Sequence, residues 1–234
     1  MIFLSLTLPV HNEEDIIEKI VEEIIRELNK CKITYELLLI ENGSKDKSLD
    51  KLIALSKKYK NVRYFISLQG YGNAILKGLS KSQGKYVGYM VSDGQVDLSI
   101  FPKLILNASK YDLVKVKRIT RENFGRTFVS LSFDLIIRFL FNSKFLDING
   151  DPRIFLRKEL QTLNLQSKDS FIDAEFTIKL SKLNWKVLEI PIKNIDRYGG
   201  KSTRHFGTFI EFFKNIFDYK FSDRIESWQK LTQE

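Results

Sequence analysis

Tyr86-Val87-Gly88-Tyr89-Met90-Val91-Ser92-Asp93-Gly94-Gln95 is the stretch from which the fold is read. An apolar, β-prone run stops abruptly in an acid, a glycine and an amide. In an open α/β sheet the carboxyl end of a strand is where ligands bind, so Asp93 and Gln95 stand where chemistry is expected. Their side-chain oxygens suit a hard divalent cation, Mg²⁺ or Mn²⁺. Taken alone, the same residues also make an ordinary surface turn.

Upstream, Phe3 to Leu8 reads as a buried strand stopped by Pro9, with Asn12 as the cap of the next helix. Ile17, Ile20, Val21, Ile24, Ile25 and Leu28 share one face of that helix. Tyr35 to Ile40 is a second strand, followed by a helix from about Asp46 to Tyr59. Val62 to Ser67 is a third strand, and Gly70-Tyr71-Gly72 turns into a helix carrying Ala74, Ile75 and Leu79. This alternation predicts an α/β fold: a nucleotide-binding layer structure with a mainly parallel central sheet and helices on both faces.

Downstream, Leu113 to Lys117, Arg153 to Leu156 and Val187 to Ile192 read as further strands. Phe128 to Phe141 is densely apolar, a helix is expected around Asp173 to Leu183, and Phe206 to Phe221 is amphipathic. Residues 1–204 are expected to form the catalytic domain. Residues 205–234 form a helical tail that packs on the domain, a partner or a membrane surface.

A chain of 234 residues can bury one large α/β core. Its net charge of +9, from 38 basic and 29 acidic residues, favours polyanionic partners: nucleic acid, anionic lipid or phosphorylated ligands. No nucleic-acid motif accompanies that charge, so nucleic acid is not expected as a partner. The single cysteine, Cys31, excludes an internal disulfide and fits a reducing compartment. Met1 to Pro9 lacks a basic n-region and a small-residue cleavage site, so a core strand is expected there rather than a signal peptide. No run reaches the ~18–20 apolar residues of a spanning helix. The expectation is a cytoplasmic protein, peripheral to the cytoplasmic face of a membrane.

Polar residues cluster at the strand ends. Pro9-Val10-His11-Asn12-Glu13 follows the first strand, and Glu41-Asn42-Gly43-Ser44 follows the second. A carboxylate at the second position can accept from a ribose hydroxyl or a base N–H. Asp93-Gly94-Gln95 is the third cluster. The fourth, Arg197-Tyr198-Gly199-Gly200-Lys201-Ser202, is a basic glycine-containing loop able to fold over a diphosphate. Helix caps and turns explain each of the first two equally well in isolation.

In order and spacing these clusters resemble the family-2 glycosyltransferases of GT-A fold, especially the polyprenyl-phosphate (dolichol-phosphate) mannosyl- and glucosyltransferase branch. The resemblance runs from about Leu4 to Ser202. Leu8-Pro9-Val10-His11-Asn12-Glu13 is similar to the P-x-Y-N-E start, and Ile40-Glu41-Asn42-Gly43-Ser44-Lys45-Asp46 to D-D-G-S-x-D. Gly72-Asn73-Ala74, Gly78 and Gly84 resemble its glycine pattern. Val91-Ser92-Asp93-Gly94-Gln95 stands in the D-x-D-x-Q position. Asp147, Gly150 and Arg153 resemble D…G-x-R, Asp173-Ala174-Glu175 resembles D-x-E, and Glu189-Ile190-Pro191 with Arg197 and Gly200-Lys201-Ser202 resembles E-V-P…R…G-x-S. Two departures stand out: Val91 replaces the first acid of D-x-D, and Asn42 replaces an acid.

The resemblance implies an inverting transfer of a hexose from a UDP- or GDP-linked sugar, with polyprenyl phosphate as the favoured acceptor. Pro9, His11, Glu13, Ile40, Glu41, Asn42, Ser92, Lys201 and Ser202 would bind the nucleotide. Asp93 and Gln95 would hold Mg²⁺ or Mn²⁺, and Asp93 with Arg197 would act on the leaving diphosphate. Arg118, Arg126, Ser130 and Arg153 would hold the acceptor phosphate, which needs no strong base because its second pKa is about 6. A hydroxyl acceptor needs one, and Asp173 or Glu175 would supply it. The alternatives are a soluble transferase acting on a glycan hydroxyl, and a nucleotide-sugar-binding pseudoenzyme suggested by Val91. The apolar residues of 124–141 and 206–217 fit a membrane surface, the protein core or a homo-oligomer.

Overall fold

The structure is a computed structural model describing residues 1–120, 124–145, 147–193, 195 and 206–233, with side chains at all of these but 120, 124–131, 206–211 and 233. Four parallel strands form its first half: β1 (Leu4–Val10), β2 (Tyr35–Glu41), β3 (Val62–Ile66) and β4 (Tyr86–Tyr89). Three helices connect them: α1 (Ile17–Lys30), α2 (Ser48–Lys58) and α3 (Tyr71–Lys81). After α4 (Phe101–Asn107) come β5 (Leu113–Thr120), α5 (Phe124–Phe141), β6 (Arg153–Leu156), α6 (Glu159–Leu163), α7 (Ile172–Lys182), β7 (Val187–Lys193), α8 (Phe206–Phe221) and α9 (Arg224–Gln233).

The strands make one seven-stranded sheet in the order β3-β2-β1-β4-β6-β5-β7. Only β6 runs against its neighbours, antiparallel to both β4 and β5, while β5 and β7 are parallel. The predicted mainly parallel sheet is therefore present. Alternation within β1 explains its two faces. Leu4, Leu6, Leu8 and Val10 pack with Ile17, Ile20, Val21, Ile24 and Leu28 of α1. Each such buried aliphatic side chain stabilises the fold by about 1.5–3 kcal/mol. On the opposite face Thr7 lies beneath α3, where a Cβ on Gly78 would collide with the threonine side chain. Glycine at 78 lets that helix lie close against β1.

Two expectations are corrected. Pro9 does not end the strand, which continues to Val10 with Pro9 opposite Ile40. The β4 pairing of β1 ends at Thr7–Tyr89, leaving Pro9 a strand neighbour on one side only, a position where proline is tolerated. Asn12 does not cap α1, which starts at Ile17 without a side-chain cap. It takes a positive φ of 54° in the loop instead.

The C-terminal segment packs on the domain: Phe212, Ile216 and Tyr219 of α8 join Ile137 and Phe141 of α5 and Ala174 and Ile178 of α7 in one apolar cluster. The further helix α9 is tied down by Trp228, whose indole N–H donates to the Thr162 carbonyl at 2.7 Å. No helix among the described residues is long and apolar enough to cross a membrane.

Candidate functional site

In the sheet, β1 lies between β2 and β4, because the chain adds β2 and β3 on one side and then crosses to the other. That reversal opens a crevice beyond the carboxyl ends of β1 and β4, the usual ligand position of such sheets. The first three polar clusters meet there. Asn42 N–H donates to the Val10 carbonyl at 3.0 Å, and the His11 ring nitrogen Nδ1 lies 2.8 Å from the Asn42 carbonyl. The Ser92 hydroxyl donates to the Pro9 carbonyl at 2.7 Å, joining the end of β1 to the loop after β4.

Side chains shape these loops from within. The Asn42 amide oxygen accepts from Gly70 N–H at 2.8 Å, and Glu41 accepts from Ser44 N–H at 2.5 Å. Asn12 accepts from Lys45 N–H at 2.7 Å. Glu13 is buried and its N–H donates to the Ser48 hydroxyl, binding the first loop to the start of α2. Glu41, Asn42 and Glu13 thus hold the rim of the crevice, and Ile40 lies beneath it with its side chain in the core against Ala74. Pro9, His11, Glu13, Ile40, Glu41, Asn42 and Ser92 are brought together as the sequence suggested.

Asp93 and Gln95 follow β4 directly and are both partly exposed, with Asp93 accepting from Gln95 N–H at 3.1 Å. Among the described residues no group of three His, Cys, Asp or Glu side chains is spaced to hold a metal. One carboxylate and one amide are hard oxygen donors that fit Mg²⁺ or Mn²⁺ when a diphosphate completes the coordination. The chain returns to this point after β7, where Ile195 N–H donates to the Gln95 carbonyl at 3.1 Å. Arg197, Lys201 and Ser202 lie outside the described residues, as do the side chains of Arg126 and Ser130 on α5.

The other expected site residues fall in the second half, where Arg118, Arg153, Asp173 and Glu175 are bound to neighbouring side chains and backbone. Arg153 is 0% exposed, and its Nη2 lies 3.1 Å from Asp173 Oδ1 and donates to the Ile148 carbonyl at 3.0 Å. Its guanidinium sits 4.7 Å and 5.2 Å from the ring centroids of Tyr89 and Phe176. Tyr89 donates its hydroxyl to Asp173 Oδ1 at 3.0 Å. A shielded, paired Arg153 does not present itself to an acceptor phosphate, and Asp173 is engaged with it. Glu175 is equally engaged: it takes a salt bridge from Lys179 at 2.7 Å and accepts from Gln166 and Ser167 N–H. Neither acid is placed as a free base. Arg118 grips Asp147 through Nε and Nη2 at 2.9 Å and 2.6 Å. Burial pushes the Asp147 carboxyl up, but the Arg118 hydrogen bonds overcome it and hold the carboxyl down at about 2.

The same region contains functional-looking groups to which the sequence reading gave no role. Lys115 is buried, bonded to the Asp147 carbonyl and 3.7 Å from Glu189. Burial, with the Arg153 charge, lowers its pKa to about 8. Asp151 is buried beside the loop after β4, its Oδ1 3.4 Å from Val91 N. Burial raises its carboxyl to about 7, with Asp173 and Asp93 adding repulsion against the pull of Arg153 and Arg118. No sequence signal set Asp151 apart, because the approach to β6, Asp147-Ile148-Asn149-Gly150-Asp151-Pro152, is polar or glycine throughout except for Ile148 and Pro152.

A family model described as glycosyl transferase family 2 matches residues 5–165, spanning every strand from β1 to β6. The chain belongs to glycosyl transferase family 2. Among curated members, a dolichyl-phosphate beta-glucosyltransferase of Dictyostelium discoideum is 23% identical over 252 aligned positions, covering 97% of this chain and 77% of the relative. An undecaprenyl-phosphate 4-deoxy-4-formamido-L-arabinose transferase of Photorhabdus laumondii is 29% identical over 124 positions, covering 51% of this chain and 38% of that one. A glucosyl-3-phosphoglycerate synthase from Mycobacterium tuberculosis, crystallised with Mn²⁺, UDP and product, superposes with a TM-score of 0.70 at 18% identity, covering 93% of this chain and 79% of that one. The architecture of this family-2 glycosyltransferase is therefore the GT-A fold.

Proposed function

We propose that this glycosyltransferase moves a hexose from a nucleoside-diphosphate sugar to a polyprenyl phosphate, with inversion and with Mg²⁺ or Mn²⁺. The observation that carries the reading is the gathering of His11, Asn42, Ser92, Asp93 and Gln95 at one strand-order reversal. Pro9, His11, Glu13, Ile40, Glu41, Asn42 and Ser92 line or support the nucleoside pocket. Asp93 and Gln95 hold the cation, which supplies charge neutralisation at the leaving diphosphate. Arg197, Lys201 and Ser202 are assigned to the leaving diphosphate; Ile195, the nearest described residue before them, is bonded to Gln95.

The acceptor follows from what the acids are doing. A hydroxyl acceptor requires a general base. Asp173 and Glu175 are bound to Arg153 and Lys179 instead. A phosphate acceptor is already largely dianionic at neutral pH and attacks unaided. Arg126 and Ser130, one turn apart on α5, are offered to it. An exposed apolar face supports a lipid: Leu135 and Phe139 on α5, and Phe217 and Phe221 on α8, with Arg138, Lys144, Lys214 and Lys220 in the same segments. Such a surface can lie on an anionic membrane interface. Two of its relatives act, by name, on dolichyl and undecaprenyl phosphates.

Incubating the chain with UDP- and GDP-linked hexoses, Mn²⁺ and a short-chain polyprenyl phosphate should yield a glycosylated lipid phosphate. Asp93→Ala should lower kcat by about 100-fold or more. No sugar nucleotide raising the melting temperature, or undiminished transfer by Asp93→Ala, would overturn the proposal.

A further inference from the structure

We infer that Asp151 is the second carboxylate of the cation-binding set, standing across the sheet from the position where Val91 brings no acid. The inference rests on the transferase reading above and adds a residue to its site. It begins with register. Strands β4 and β6 are antiparallel with Tyr89 opposite Arg153. The pairing ends at that pair, and the segments just beyond it, Val91 after β4 and Asp151 before β6, stay in contact. The contact exists: Val91 N–H points at Asp151 Oδ1 across 3.4 Å. The Asp151 carboxylate therefore lies against the peptide of the residue in the first D-x-D place.

Charge gives the second argument. The Asp93 charge adds to that of Asp173 in raising the Asp151 carboxyl, so Asp151 lies within electrostatic reach of Asp93. Arg153 and Arg118 attract Asp151 from β6 and β5, and Asp173 opposes it from α7. Arg153 is already paired with Asp173 and Arg118 with Asp147, so neither guanidinium is dedicated to Asp151. Burial works against its charged form, and a divalent cation shared with Asp93 removes that conflict. A carboxylate so bound is held ionised and does not serve as the proton acceptor.

The third argument is chemical economy of ligands. Asp93 and Gln95 alone give one negative charge, and valine gives none. Asp151 restores two carboxylates beside one amide, a set of hard oxygens to which a diphosphate adds the rest. The acid has moved to the neighbouring strand, while the place in space is kept.

Mn²⁺ affinity of the full chain, measured at pH 8 in the presence of UDP by the electron paramagnetic resonance signal of free Mn²⁺, tests this directly. Asp151→Asn should weaken Mn²⁺ binding by about tenfold or more, as Asp93→Asn does, while its near-ultraviolet circular dichroism stays that of the parent. Adding Val91→Asp to Asp151→Asn should return the affinity to within about threefold. Parental affinity in Asp151→Asn, or a loss that Val91→Asp does not repair, overturns the inference. Failure of the unaltered chain to bind Mn²⁺ with UDP would instead sink the transferase reading, and this inference with it.

Discussion

At the ends of β1 and β2 the polar side chains hold loops, whereas between β4, β5, β6 and α7 they hold one another. Asn42 fixes Gly70, Asn12 fixes Lys45, and Glu41 fixes Ser44, in each case through a backbone N–H. In the second region Arg153 pairs with Asp173, Arg118 with Asp147, and Lys179 with Glu175. The first arrangement leaves His11, Asp93 and Gln95 partly exposed at the strand ends. The second closes on itself and fixes the position of the strands beneath it. Residue type therefore says little about role in this chain; the partner says more.

That contrast is broken if the buried pairs prove dispensable. Asp173→Asn should leave Arg153 as a buried charge without its partner and cost about 3–5 kcal/mol of unfolding free energy. Urea denaturation measures it. The double replacement Arg153→Met with Asp173→Leu should lose less than the two single changes summed, because it removes both charges together. A loss under ~1 kcal/mol for Asp173→Asn would mean that this pair is not structural, and Asp173 would return as a candidate base.

Asp151 belongs to both regions, and its protonation sharpens where one ends. Burial lifts its carboxyl from 3.8 to about 7, so between those values the folded chain keeps a proton that the unfolded chain has released. The stability it contributes is fully present below pH 3.8 and is lost as pH rises through about 7. Asparagine carries no such dependence. Without metal, Asp151→Asn should match the parent near pH 4 and exceed it by about 2–4 kcal/mol at pH 8. A group that weakens the free fold yet strengthens cation binding is the signature of a functional acid rather than a structural one. Equal stability at both pH values would place Asp151 with the structural pairs.

The first region was legible because α/β alternation forces the carboxyl ends of β1, β2 and β4 to one edge. Once Phe3 to Leu8, Tyr35 to Ile40 and Tyr86 to Val91 were recognised as strands, His11, Asn42 and Asp93 could only be neighbours. Pro9 was misread because a sequence does not show that β1 has just one partner beyond Thr7. In the second region no such rule applies. Both faces of β6 are buried, with Ile154 in one apolar cluster and Phe155 in another, and no periodicity tells that Arg153 will meet Asp173 of α7. For the same reason Asp151 passed unnoticed: its nearness to Val91 exists only through the β4–β6 ladder. The tail of residues 205–234 was expected to be helical, but its division into α8 and α9 was not, because the apolar pattern that marks a helix thins out after Phe221 and leaves Trp228 as the buried anchor.

The exposed face of the second region should change folding least and location most. Phe139 is 87% exposed and Phe217 is 54% exposed, so neither contributes much buried area. Phenylalanine and serine have similar helix propensities, so Phe139→Ser with Phe217→Ser should shift unfolding free energy by no more than about 0.5 kcal/mol. Co-sedimentation with vesicles containing anionic lipid should nevertheless fall several-fold, because membrane binding scales with the apolar area inserted and with the basic residues beside it. Raising the salt concentration should weaken what remains, since Lys214 and Lys220 act through a screened surface potential. If vesicle binding is unchanged while transfer to a water-soluble acceptor analogue is also unchanged, this face has no part in lipid access. Lipid access would then have to be sought elsewhere on the molecule.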